Sequence, residues 1–142
     1  FNYRMTDIQA ALGSSQMKRL DKFVSARHKH AKRYNSLLEK LSLVIPYQHK
    51  DSYSSFHLYI IRVKDHTKHK KVFDHLRKNN IGVNIHYIPV HTQPYFNQSD
   101  KNFRLPISEE YYSSAISLPM YPNITEKDQD YVVSVLKNAL EL

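Results

Sequence analysis

Cysteine is missing from all 142 residues, so the chain holds no disulfide framework and no thiolate metal site, which fits a reducing cytoplasm. Glycine is almost missing: Gly13 and Gly82 stand alone. Two isolated glycines cannot build a loop whose amides cradle a phosphate, and no GxxxxGK[ST], GxGxxG or GxSxG motif occurs. No apolar run approaches the ~20 residues needed to cross a bilayer, and no charged and then apolar leader opens the chain. The expectation is a soluble, cytoplasmic protein with no membrane partner.

Hydrophobic residues make up 41% and charged residues 24%, proportions of a folded globular domain rather than of a disordered chain. A formal net charge of +8 attracts polyanions, and nucleic acid, anionic lipid and a phosphorylated small molecule all qualify. The basic residues are interleaved with 13 acidic ones and form no single reading element, so a solvated basic surface is expected rather than a nucleic-acid partner. The chain opens on Phe1 directly against a patterned segment and reads as a fragment of a longer protein.

Thr6-Asp7-Ile8-Gln9 has the form of a capping box and predicts a helix start. Long or apolar side chains then recur in steps of three and four through Ile8, Leu12, Gln16, Leu20, Phe23, Val24, Arg27, Ala31, Tyr34, Leu38 and Leu41. A helix continuous to Leu41 would be ~50 Å long, so its first turns are expected to pack on something outside a small domain. His57 to Val63 predicts a central strand with Tyr59, Ile61 and Val63 on one face. Lys68 to Asn79 predicts a surface helix stopped at Asn79-Asn80. Ile81, Val83, Ile85 and Tyr87 alternate with Gly82, Asn84 and His86, the pattern of a second strand. A short helix over Ser108 to Ser114, a strand at Ile116 to Leu118 and a helix capped by Thr125 complete an α+β reading: a small, largely antiparallel sheet covered by helices.

Nine histidines raise the question of metal. His28/His30 and His66/His69 come nearest to ligand spacing, but His28 and His30 on one helix point to different sides, and no metal is expected. The stretch NIHYIPVHTQPYF, Asn84 to Phe96, is different: two histidines, two prolines and three aromatic residues follow a strand in a corner stiffened by proline. His86 and His91 there are either ligand-binding groups on a rigid scaffold or satisfied histidines in a packed loop. At the N-terminus, Asn2 and Arg4 precede a helix start that favours anions, and Arg4 either clamps a phosphate or pairs with Asp7.

FNYRMTDIQAALGSSQMKRLDKF, HLYIIRV, GVNIHYIPVHTQPYF and SEEYYSSAISLPMYPNITEKDQDYVVSVLKNAL, in that order and spacing, resemble the C-terminal region of the DegT-type nucleotide-sugar aminotransferases. The HYIPVHTQPYF form is most similar to the branch that aminates a UDP-4-keto-6-deoxy-N-acetylhexosamine in the pseudaminic-acid pathway. The resemblance implies a fold type I enzyme dependent on pyridoxal phosphate, working as a homodimer with glutamate as amino donor. It makes residues 1–142 the C-terminal small domain, with 1–41 as the long connecting helix, while the Schiff-base lysine and the large cofactor-bearing domain lie outside this chain. By the same motifs Asn2 and Arg4 would meet the cofactor, and Asn2, His86, Tyr87, Ile88, Pro89 and His91 would line the nucleotide-sugar site. The chain would then position, not catalyse. The competing classes are a basic nucleic-acid-binding module and a protein-interaction module using the long helix.

Overall fold

The computed structural model describes residues 2–96 and 103–141. Helices α1 (Asp7–Met17) and α2 (Leu20–Leu38) are followed by strands β1 (Leu43–Val44) and β2 (Tyr59–Val63), then by α3 (His69–Lys78). Further on come α4 (Pro106–Ser114), strand β3 (Ala115–Leu118) and α5 (Glu126–Glu141). Short 3-10 turns occupy His66–Lys68 and Val90–Thr92. The strands form one antiparallel sheet in the order β1-β2-β3, so the α+β reading and the central place of β2 both hold.

The core lies on one face of this sheet. Tyr59, Ile61 and Val63 are buried against Tyr34 and Leu38 of α2, Val72 and Leu76 of α3, and Val132 and Leu136 of α5. Ile61 sits opposite Ile116 in the ladder, and neither exposes any surface. Burying a side chain of this size contributes roughly 1.5–3 kcal/mol, so the alternation read from the sequence is what attaches the helical layer. The opposite face, bearing Leu58, Ile60 and Arg62, is only partly covered and opens into a shallow cavity of about 450 Å³ with Val44, Tyr47 and Tyr111.

Helix ends follow local chemistry. Thr6 Oγ1 accepts the Gln9 N–H at 3.3 Å and Gln9 Oε1 accepts the Thr6 N–H at 2.9 Å, the reciprocal box expected. At the end of α3, Asn80 takes φ 58, its N–H donates to Arg77 O at 3.1 Å, and the Ile81 N–H donates to Leu76 O at 3.0 Å. This is a Schellman closure with asparagine in place of glycine, sealed by the buried pair Leu76 and Ile81.

Two expectations are corrected. The N-terminal helix is not continuous: it breaks at Lys18-Arg19, where Arg19 leaves helical geometry at φ −113, ψ 3, and its second part ends at Leu38. Gly13, Ser14 and Ser15 are weak helix formers, and α1 buries no side chain that could offset them. The segment from Ile81 to Tyr87 is extended but is not a strand, because it meets β3 only at the bridge Asn84↔Ser117. Its alternation is real, with Ile81 and Val83 buried. However, Asn84 Oδ1 takes the Ile85 N–H at 2.8 Å and removes that donor from any ladder.

Candidate substrate corner

The corner from His86 to Thr92 is docked on the continuous piece α4–β3. At its start, the Ser117 N–H donates to Asn84 O at 2.8 Å. Because Asn84 Oδ1 is occupied by Ile85, its Nδ2 is the atom facing His86 Nε2, at 3.5 Å. His86 Nε2 therefore accepts, and Nδ1 carries the ring hydrogen and donates to Ser117 Oγ at 2.7 Å. The His86-Tyr87 peptide is cis, and the two rings meet edge to face at 4.5 Å.

At the far end, Pro89 O accepts from both Thr92 N (2.9 Å) and Thr92 Oγ1 (2.7 Å), closing the turn that carries His91. The His91 side chain is only 8% exposed, packs edge to face on Phe103 and donates from Nε2 to Glu109 Oε1 at 3.0 Å. Glu109 also accepts from Arg104 Nε at 2.9 and 2.8 Å, from Arg104 Nη2, and from Leu105 N at 3.1 Å. The Arg104 guanidinium first, and the His91 N–H after it, hold the Glu109 carboxyl down to about 2, so it is a carboxylate throughout the neutral range.

The corner residues thus divide into two sets. His86 and His91 turn inward and are satisfied by the protein, and Pro89 is buried. Tyr87, Ile88 and Val90 face solvent at 74%, 50% and 64%. The histidines behave as anchors, and the surface on offer is aromatic and aliphatic with backbone polar groups between. Sequence reasoning missed the two anchoring partners. Ser117 could have been found as the one polar residue in a strand otherwise reading Ala-Ile-Leu, and Glu109 as an acid in the first turn of α4, five residues after Arg104.

Asn2 and Arg4 lie in an exposed arm before α1. Arg4 Nη2 donates to Asn2 Oδ1 at 3.5 Å, and among the described residues neither makes a hydrogen bond or ion pair with Asp7 or with the corner. The four histidines weighed as metal ligands are used otherwise. His28, His30 and His69 bond the carbonyls of Ser54, Pro122 and Ala115, and His66 meets Ser113 Oγ. Among the described residues no three His, Cys, Asp or Glu side chains converge as a metal set. No helix among them is long and apolar enough to cross a membrane.

Residues 1–137 match the model of the DegT/DnrJ/EryC1/StrS aminotransferase family. The chain belongs to this family. The spore coat polysaccharide biosynthesis protein SpsC of Bacillus subtilis is 32% identical over 99% of this chain. Helicobacter pylori PseC, an aminotransferase of pseudaminic-acid biosynthesis, superposes with a TM-score of 0.91 at 26% identity over 99% of this chain. Spr1654 of Streptococcus pneumoniae, in its PLP-form, does so with a TM-score of 0.88 at 26% identity over 97%. The chain spans 38% of SpsC, 39% of the PseC chain and 36% of Spr1654.

The residues present can be matched against the pyridoxal phosphate that this family uses. Asn2 and Arg4 offer an exposed amide and guanidinium, donors suited to the oxygen edge of a phosphate. Among the described lysines all are exposed except Lys68, whose ammonium donates to Leu140 O at 3.0 Å. None sits in the water-excluded apolar pocket in which an amine serves as a covalent anchor. Among the described residues, the groups that suit the cofactor are the exposed donors of Asn2 and Arg4, and no buried lysine accompanies them.

Proposed function

We propose that this chain is the C-terminal small domain of a cytoplasmic, homodimeric nucleotide-sugar aminotransferase. Its reaction transfers the amino group of glutamate to a UDP-4-keto-6-deoxy-N-acetylhexosamine for surface glycan synthesis. The observation that carries the reading is the likeness to PseC along 99% of the chain, supported by the family match. Pyridoxal phosphate, held mainly by residues beyond this chain, supplies the electron sink for moving nitrogen between carbon skeletons.

The tasks assigned to the chain's own residues are positional. Asn2 and Arg4 donate to anionic oxygens of cofactor or substrate. Tyr87 and Ile88 present an apolar wall to the sugar nucleotide, while His86, Pro89 and His91 keep that wall in place. A corner already fixed before binding lowers the entropy cost of orienting the sugar ketone, and it excludes water from the reacting carbon. The exposure of Ile8, Leu12 and Met17 on α1 (84%, 61% and 64%) favours a helix covered by another surface, as a homodimer would provide. That exposure also keeps a simple interaction module in play as the second reading.

The full-length protein, given UDP-4-keto-6-deoxy-N-acetylhexosamine and glutamate, is expected to yield the 4-amino sugar nucleotide by mass spectrometry, with the corresponding GDP-sugar a poorer substrate. The 142-residue chain alone is expected to give neither turnover nor the visible absorption of bound pyridoxal phosphate. Turnover by the isolated chain, or none by the full-length protein with any nucleotide sugar, would overturn the proposal.

A further inference from the structure

We propose that Glu109 is a positioning residue for the nucleotide-sugar corner: one carboxylate, held by Arg104, locks His91 and through it the exposed residues Tyr87, Ile88 and Val90. The inference rests on the reading that this corner contacts the sugar nucleotide.

Three observations carry it. First, Glu109 ties together two places far apart in the chain: the 3-10 turn, through His91, and the approach to α4, through the Arg104 side chain and the Leu105 N–H at the start of the helix. Second, the corner's two anchors lie on one uninterrupted piece of chain, because α4 ends at Ser114 and β3 begins at Ala115. Ser117 fixes the corner's start and Glu109 fixes its end, so the residues between them have little freedom. Releasing Glu109 frees the His91 ring, then the Pro89–Thr92 turn, and so moves Ile88 relative to Tyr87. Third, His91, Arg104 and Glu109 all lie outside the hydrophobic core, and the Arg104 side chain is 71% exposed. Their loss costs the fold little, which separates positioning from structural support.

The distinction fixes the expected kinetics. A wall that orients substrate is felt in binding, and misplacing it by a fraction of an ångström weakens every contact it makes. In the full-length enzyme, Glu109→Ala is expected to raise the KM for the sugar nucleotide about tenfold or more, with kcat changed far less and the urea midpoint of unfolding retained. Titration calorimetry with UDP, on enzyme free of sugar substrate, is expected to weaken by a similar factor. Glu109→Gln, which keeps an acceptor for His91 but loses the charge for Arg104, should fall between. Arg104→Met acts only through Glu109, so it should shift KM in the same direction by less; it carries the test if Glu109→Ala does not fold.

Wild-type kinetics in Glu109→Ala and Arg104→Met, or an equal loss in kcat and stability with KM unchanged, would overturn the inference while leaving the aminotransferase reading intact. Failure of the wild-type enzyme to bind UDP or to aminate any sugar nucleotide would remove that reading, and this inference with it.

Discussion

Arg27→Met probes how the helical layer holds the two loops that meet at one end of the sheet, where the start of β2 lies beside the end of β3. Arg27 Nη1 lies 3.0 Å from the carbonyl oxygens of Phe56, His57 and Met120, two of them just before β2 and one just after β3. One nitrogen with two hydrogens serves three acceptors, so no more than two bonds are at full strength at once. Hydrogen bonds from a charged donor contribute about 1.5–3 kcal/mol each, and partial exposure puts these at the low end, for a gross loss of about 3 kcal/mol. Against this, Phe56 sits at φ 45, a left-handed conformation costing about 1–2 kcal/mol, and freeing the loop lets part of that strain relax.

The net expectation is a destabilisation of about 2 kcal/mol, a large share of the 5–15 kcal/mol typical of a domain. Methionine keeps the length of the stem, so lost packing is a minor part. Urea unfolding followed by circular dichroism should show the midpoint falling by about 1 M at unchanged slope. Arg27→Lys should recover part of the loss, since an ammonium keeps the charge but lacks the planar fork. A midpoint for Arg27→Met indistinguishable from wild type would refute the account of how these loops are held.

The two capped helices give a paired test in the 142-residue chain. Thr125 makes a box with Asp128 (Asp128 N to Thr125 Oγ1 3.1 Å, Thr125 N to Asp128 Oδ2 3.1 Å) on a helix that buries Val132, Val135 and Leu136, so Thr125→Ala should lower global stability by about 1 kcal/mol. Thr6→Ala deletes an equivalent cap from α1, which buries nothing; it should speed amide exchange in α1 and leave the urea midpoint in place, and an equal fall of the midpoint would contradict the fold described. Tyr34 and Tyr59 have their phenol pKa values raised, chiefly by burial and then by Tyr121 and Tyr34 respectively. A group whose folded pKa is raised lends stability that is complete below the ordinary tyrosine value of about 10 and is lost as pH rises toward the folded value. Phenolate absorbance on alkaline titration should therefore leave two of the eleven tyrosines un-ionised until the chain unfolds, and eleven equivalent groups would refute it.

What was legible in the sequence was whatever depends on near neighbours. The Thr6 box, the asparagine stop of α3 and the inward face of β2 each need only a few consecutive residues, and each is found where the pattern put it. The break at Lys18-Arg19 was not legible, because the stripe continues through it and only the lack of burial along α1 reveals that nothing holds the two parts in line. The 81–87 segment misled for a similar reason. Alternation records which side chains face the core, whereas a strand also needs backbone partners, and Asn84 gives the backbone of Ile85 a side-chain partner instead. Arg27 was placed correctly on the inward stripe, but its three carbonyl acceptors lie 29, 30 and 93 residues away, beyond the reach of any local pattern.

The corner joins both lessons. Its composition singled out His86 and His91 as groups that could touch a ligand, and the geometry turns both rings toward Ser117 and Glu109. A histidine satisfied on one nitrogen by a fixed partner is a poor mobile proton carrier but a good strut, since its ring orientation is set before any ligand arrives. In the proposed site, the same two residues singled out by the sequence would act by fixing where Tyr87 and Ile88 stand. Under the proposed function, that is how such a corner would contribute to catalysis: binding energy with a sugar nucleotide is converted into orientation only if the wall does not yield.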